Sequence, residues 1–186
     1  MNTPHSLPKA LLAIMAIAGM FTLSAQAANM SQTDYQASKS RISDTYKVDK
    51  EACSSQTRNA KDICIEEARA KEKVTRAELE FSYTGTPKDQ TRLAVAKAEA
   101  AYSVAKEKCD DESGNAKDVC RKAAKATEVK GLADAKMGKQ IQEAQTDAAQ
   151  SKIDADYKLA VEKCDALAGD AKSACVTAAK SRYGKT

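Results

Sequence analysis

The chain has no tryptophan, one histidine and three prolines in 186 residues, and aromatic side chains make up only 4% of it. Each shortage excludes something. Burial of apolar area, at roughly 25 cal/mol per Å², holds a domain together, and a chain this poor in large side chains cannot build a thick core. The single imidazole, His5, leaves little for acid–base or metal chemistry near neutral pH. Pro87 is the only proline beyond residue 8, so long helices meet few breakers. Alanine, at 36 residues, carries much of the 42% hydrophobic content. The charge balance, 30 Lys+Arg against 26 Asp+Glu, is nearly even. With no dense basic block and no aromatic stacking cluster, nucleic acid is excluded as a partner.

What is present begins with an export signal. Lys9 precedes an apolar run from Ala10 to Phe21, and Ala25-Gln26-Ala27 matches the small-x-small pattern of a signal peptidase site. Cleavage between Ala27 and Ala28 is expected. The run falls short of the ~20 residues a membrane-spanning helix needs, and no later stretch is more apolar. The expected mature chain, 28–186, has no histidine and no membrane span, and is periplasmic or secreted.

The six cysteines, Cys53, Cys64, Cys109, Cys120, Cys164 and Cys175, form three pairs, each with an offset of 11. The pairs recur with a period of 56 and then 55 residues. The surrounding sequence repeats too. Residues 102–125, YSVAKEKCDDESGNAKDVCRKAAK, match residues 157–180, YKLAVEKCDALAGDAKSACVTAAK, at 13 of 24 positions. Residues 46–69 match the middle copy at 11. Such internal periodicity marks an array of similar supersecondary units.

Each unit reads as two helices joined by a short turn. Ala, Lys, Glu, Gln and Arg dominate, all strong helix formers. Ile153, Tyr157, Ala160, Cys164 and Leu167 follow one helix face, and so do Ile63, Ala70, Val74, Ala77 and Phe81. Gly114 and Gly169 suit a left-handed residue ending the first helix. Asn59, Asn115 and Asp170 suit the N-cap of the second. Arg58 stands where the first unit lacks its glycine, which predicts a less ideal turn there. Asp62 and Asp118 follow three residues after their caps, where a carboxylate suits the helix dipole. Tyr46, Tyr102 and Tyr157 each precede the first Cys of a unit by seven residues, on the inward face.

In an antiparallel hairpin the two Cys of each unit come level. Six cysteines allow 15 connectivities, but the threefold repeat selects Cys53–Cys64, Cys109–Cys120 and Cys164–Cys175. Ala52, Ala116, Ala171 and Ala174 are expected to permit the close approach. Disulfides persist in the periplasm and outside cells. Each bridge is worth about 3 kcal/mol in the chain-entropy model, roughly 8 in sum. Zinc and redox readings lack their short Cys-x-x-Cys spacing and their His partners, so neither metal nor cofactor is expected.

The expected fold is all-α: three disulfide-stapled antiparallel helical hairpins, stacked or bundled, at about 31–84, 88–136 and 139–183. Thr84-Gly85-Thr86-Pro87 marks the first boundary. Gly131 and Gly138 weaken the second, predicting either a turn near Gly138 or one long bent helix running into the third hairpin.

No Ser–His or Cys–His pair and no Gly-rich phosphate loop is present, so no catalytic residue is assigned and an enzyme is not expected. Stapled hairpins with long charged faces suit a structural or protein-binding role with other envelope proteins. The alternatives are a binder of acidic envelope polymers through Lys-rich faces, and a chaperone-like protein. The segments EKCDALAGDAKSAC and EKCDDESGNAKDVC, behind a signal peptide, resemble a family of small exported betaproteobacterial proteins. That resemblance implies export and the repeat plan, and no activity. In Ala/Lys/Glu composition alone the chain is similar to the helical segment of TolA-type envelope proteins. The LTxxQ motif of Spy-type chaperones is absent.

Overall fold

The computed structural model describes residues 30–186; the expected leader and its cleavage site at Ala27–Ala28 lie outside the described residues. Five helices follow in order: α1 (Gln32–Ala52), α2 (Arg58–Thr84), α3 (Pro87–Lys108), α4 (Gly114–Cys164) and α5 (Gly169–Arg182). Single 3-10 turns, Cys53–Ser55 and Cys109–Asp111, follow α1 and α3. No strand occurs among the described residues. Each helix packs on the next in sequence: α1 on α2, α2 on α3, α3 on α4 and α4 on α5. The fold is a chain of antiparallel helix pairs.

Three repeat units would give six helices, but there are five, because the second helix of unit two and the first of unit three are one. Shifted by the 56-residue period, the Gly85 and Pro87 that separate α2 from α3 become Ile141 and Glu143. Neither stops a helix, so α4 runs for 51 residues, about 75 Å at 1.5 Å per residue. Of the two outcomes expected around Gly138, the continuous helix is the one realised. The boundary placed between 136 and 139 therefore falls inside α4.

Ion pairs and contacts fix the register. Lys97–Glu78 and Lys108–Glu67 join α3 to α2 at 3.0 and 2.7 Å. Ala98 abuts Gly131, where a Cβ added to the glycine would lie 2.8 Å from the Ala98 Cβ. Gln90 pairs with Gln142. Taken together, these two contacts put the start of α3 level with about residue 143 of α4. At the other end Tyr183 packs edge-on to Tyr157, with ring centroids 6.3 Å apart. Lys185 meets Asp154 at 2.5 Å. Between these two neighbours every residue of α4 from 143 to 153 is exposed.

The core matches the composition. Its buried apolar residues are Ala68, Leu79, Ala96, Ala100, Ala124, Ala135 and Ala179, with three half-cystines. The fully buried side chains are Cys53, Cys109 and Cys164. Alanines thus set the close packing, but not those expected: Ala52, Ala116, Ala171 and Ala174 are exposed. Gly131 acts as a contact point against α3 and not merely as a weak spot in the helix.

Candidate functional site

The three predicted disulfides form, with Cα–Cα distances of 5.6, 5.6 and 5.7 Å for Cys53–Cys64, Cys109–Cys120 and Cys164–Cys175. No cysteine is free among the described residues. The loops between them share one backbone path. The first helix ends at or just before the first Cys. A turn then closes when the N–H three residues on donates to the cysteine carbonyl: Gln56 to Cys53, Glu112 to Cys109 and Leu167 to Cys164, at 3.1, 3.2 and 3.0 Å. An extended residue follows, Thr57, Ser113 or Ala168. Next comes a left-handed one, Arg58, Gly114 or Gly169, with φ of 54°, 55° and 56°.

This corrects the capping scheme. Gly114 and Gly169 open the second helix and do not close the first. No side chain caps α2, α4 or α5. Asn115 and Asp170 lie inside their helices, and Asp62 and Asp118 fall beyond the first turn. The expected weakness of the first turn is real, since Arg58 is the only described non-glycine residue with positive φ.

Asn59, read as a cap, instead reaches the second unit. Its amide donates to the Glu107 carbonyl at 3.3 Å and to Asp111 Oδ1 at 2.8 Å, tying the first loop to the second. In the second loop Asp110 accepts from Lys117 and Arg121 at 3.1 and 2.6 Å. These two cations hold its carboxyl below the usual range. Asp165 and Lys172 repeat the pair at 2.9 Å. The first loop has Ser54 where the others have aspartate.

The three tyrosines mark a second recurring arrangement. Tyr102 lies under Lys125, with Nζ 5.1 Å from the ring centroid. Lys125 also donates to the buried Glu128 at 2.5 Å, which raises its pKa. One period earlier, Tyr46 and Glu66 raise the pKa of Arg69. In the third unit Tyr157 meets Tyr183. All three rings are half-buried between the helices of their own hairpin.

The other polar node was not recognised from the sequence. Asp89, 5% exposed, accepts from Thr84 Oγ1 and Thr86 Oγ1, each at 2.7 Å, and from Arg92 at 2.9 Å. Those donors hold its pKa below the carboxylate norm, the Thr86 hydroxyl foremost. Thr86 Oγ1 in turn accepts from the Asp89 N–H at 3.2 Å. Thr86-Pro87-Lys88-Asp89 is a capping sequence with proline at the first helical position, a signal present in the sequence but read only as a break.

A groove of about 650 Å³ lies between the start of α3 and α4. Lys88, Arg92, Lys139, Glu143 and Asp147 line it, a mixture of both signs that selects no ligand charge. Compared with family models, curated proteins and solved structures, the chain finds no match. The arrangement is one of bracing: cystines and paired charges join neighbouring helices. The three intrachain disulfides fit an extracellular or periplasmic protein. No described helix is long and apolar enough to cross a membrane.

Proposed function

We propose that this chain is a non-catalytic, exported protein of the bacterial cell envelope, periplasmic after removal of its leader, whose role is structural or protein-binding. The observation that carries the reading is where the chain places its resources. Its buried apolar positions are alanine and cystine with the single leucine Leu79, while Lys, Arg, Asp and Glu, 30% of the residues, lie mostly on the outer helix faces. A braced array of this kind offers extended helix faces to other proteins.

The test is site-specific photo-crosslinking in living cells, with the probe at exposed positions of α2 and of α4. Discrete adducts with envelope proteins, retained in high salt, support the reading. If no protein adduct forms and the protein is instead retained on an acidic polymer until salt is added, the Lys-rich faces serve polyanion binding and the proposal fails. Amino-terminal sequencing of the exported protein checks the address: it should begin at Ala28.

A further inference from the structure

We infer that the back of α4 is the interface of an antiparallel dimer with a second copy of this chain. Ala124, Glu128 and Ala135 are buried, and Gly131 abuts α3. Roughly 130° around the helix, at 3.6 residues per turn, runs a different face. It carries Val119, Met137, Ile141 and Leu159, which are 57%, 54%, 50% and 56% exposed, with alanines between them. Ala126, Met137, Ala148 and Leu159 recur every 11 residues. That period of about 3.67 residues per turn keeps the stripe on one face along the helix.

Three features point to a second copy as the occupant. The first is shape. Turned antiparallel so that facing residue numbers sum to about 285, the stripe sets large against small. Leu159 meets Ala126 of the second copy, Met137 meets Ala148, and Ile141 meets Ala144. The second is charge. On the flanks of that pairing Asp134 faces Lys152 and Lys122 faces Glu162. None of these four forms an ion pair within its own chain among the described residues. The third is extent. The part of the stripe that pairs in this register, 126–159, is about 50 Å long, and at one helix diameter of ~10 Å it covers about 500 Å² per copy. The pair buries about 1,000 Å², the size a specific interface must reach. The same register lays the bare stretch 143–153 of each copy against 132–142 of the other.

Sedimentation equilibrium on the purified, oxidised protein up to about 100 μM tests this, with far-UV circular dichroism on every variant. The expected result is a monomer–dimer equilibrium. Ile141→Glu weakens it at least about a hundredfold, since each copy places a charge on an apolar seam. Met137→Gln is the milder companion should Ile141→Glu lose helicity. Asp134→Lys weakens the dimer about tenfold, and Asp134→Lys with Lys152→Asp restores it to within about threefold. A protein monomeric throughout, or a dimer indifferent to both apolar substitutions, overturns the proposal. A double reversal as weak as the single one overturns the antiparallel register.

Discussion

The two ends of α4 carry the same staple and the same loop, yet they are held in different ways. At its start α4 lies along α3, with Ala124, Glu128 and Ala135 buried and Gly131 against Ala98. At its end it carries α5, a helix of 14 residues in which only Ala179 is buried. A peptide helix of that length is marginal in water on its own. A bridge that merely reinforces the α3–α4 pair thus becomes the principal tie of the α4–α5 pair. An identical local motif differs in weight according to what the flanking sequence packs.

Substitutions that remove one restraint at a time sharpen this contrast. Reducing all three disulfides has the largest effect, on the order of 8 kcal/mol by the entropic model. It lowers the melting temperature by roughly 20 °C, read by far-UV circular dichroism with and without reductant. Removing bridges singly separates the two ends. Cys164→Ser with Cys175→Ser costs about 3 kcal/mol and abolishes hydrogen-exchange protection in 169–182. Cys109→Ser with Cys120→Ser leaves α3 and the facing half of α4 protected. Equal loss of protection at both ends contradicts the contrast.

Two glycines probe the packed end. Gly131→Ala forces a methyl onto Ala98 and destabilises by about 1 kcal/mol, the overpacking outweighing the gain in helix propensity. Gly138→Ala has nothing within 4 Å of the new methyl and stabilises by up to about 1 kcal/mol. Denaturant midpoints should therefore move in opposite directions. In the first loop Arg58→Gly relieves the left-handed arginine and gains about 1 kcal/mol, bringing that loop to the backbone chemistry of the other two.

The smallest effect is a pH dependence at the one reversal without a cystine, between α2 and α3. The pKa of Asp89 in the folded protein lies below its value in the unfolded chain. Its stabilisation is therefore complete above the unfolded pKa, about 4, and disappears as the pH falls through the folded one. Stability should decline below about pH 4, and less steeply in Asp89→Asn.

Much of this was legible in the sequence because it rests on strong local signals. The helices follow from composition and period, and the cystine pairing from a repeat that appears three times. The left-handed turn could be placed from Gly114 and Gly169, but its side of the junction was misread, because an extended residue and the glycine both precede the second helix. The long α4 was half visible: Ile141 and Glu143 stand where Gly85 and Pro87 would have broken it. What could not be read was contact between units. Asn59 reaching Asp111, and Gly131 meeting Ala98, depend on how one hairpin lies on the next, which no single repeat encodes. Asp89 was readable in principle from Thr86 three residues before it.

The central claim is that α4 is one continuous helix carrying a stapled neighbour at each end. Spin labels at Lys122 and Lys158, both exposed, measure it directly by electron–electron double resonance, with labelled protein diluted into unlabelled protein so that only distances within one chain are read. Thirty-six residues of helix predict a separation of about 54 Å. A distance near half that value, the mark of a turn around Gly138, would contradict the account.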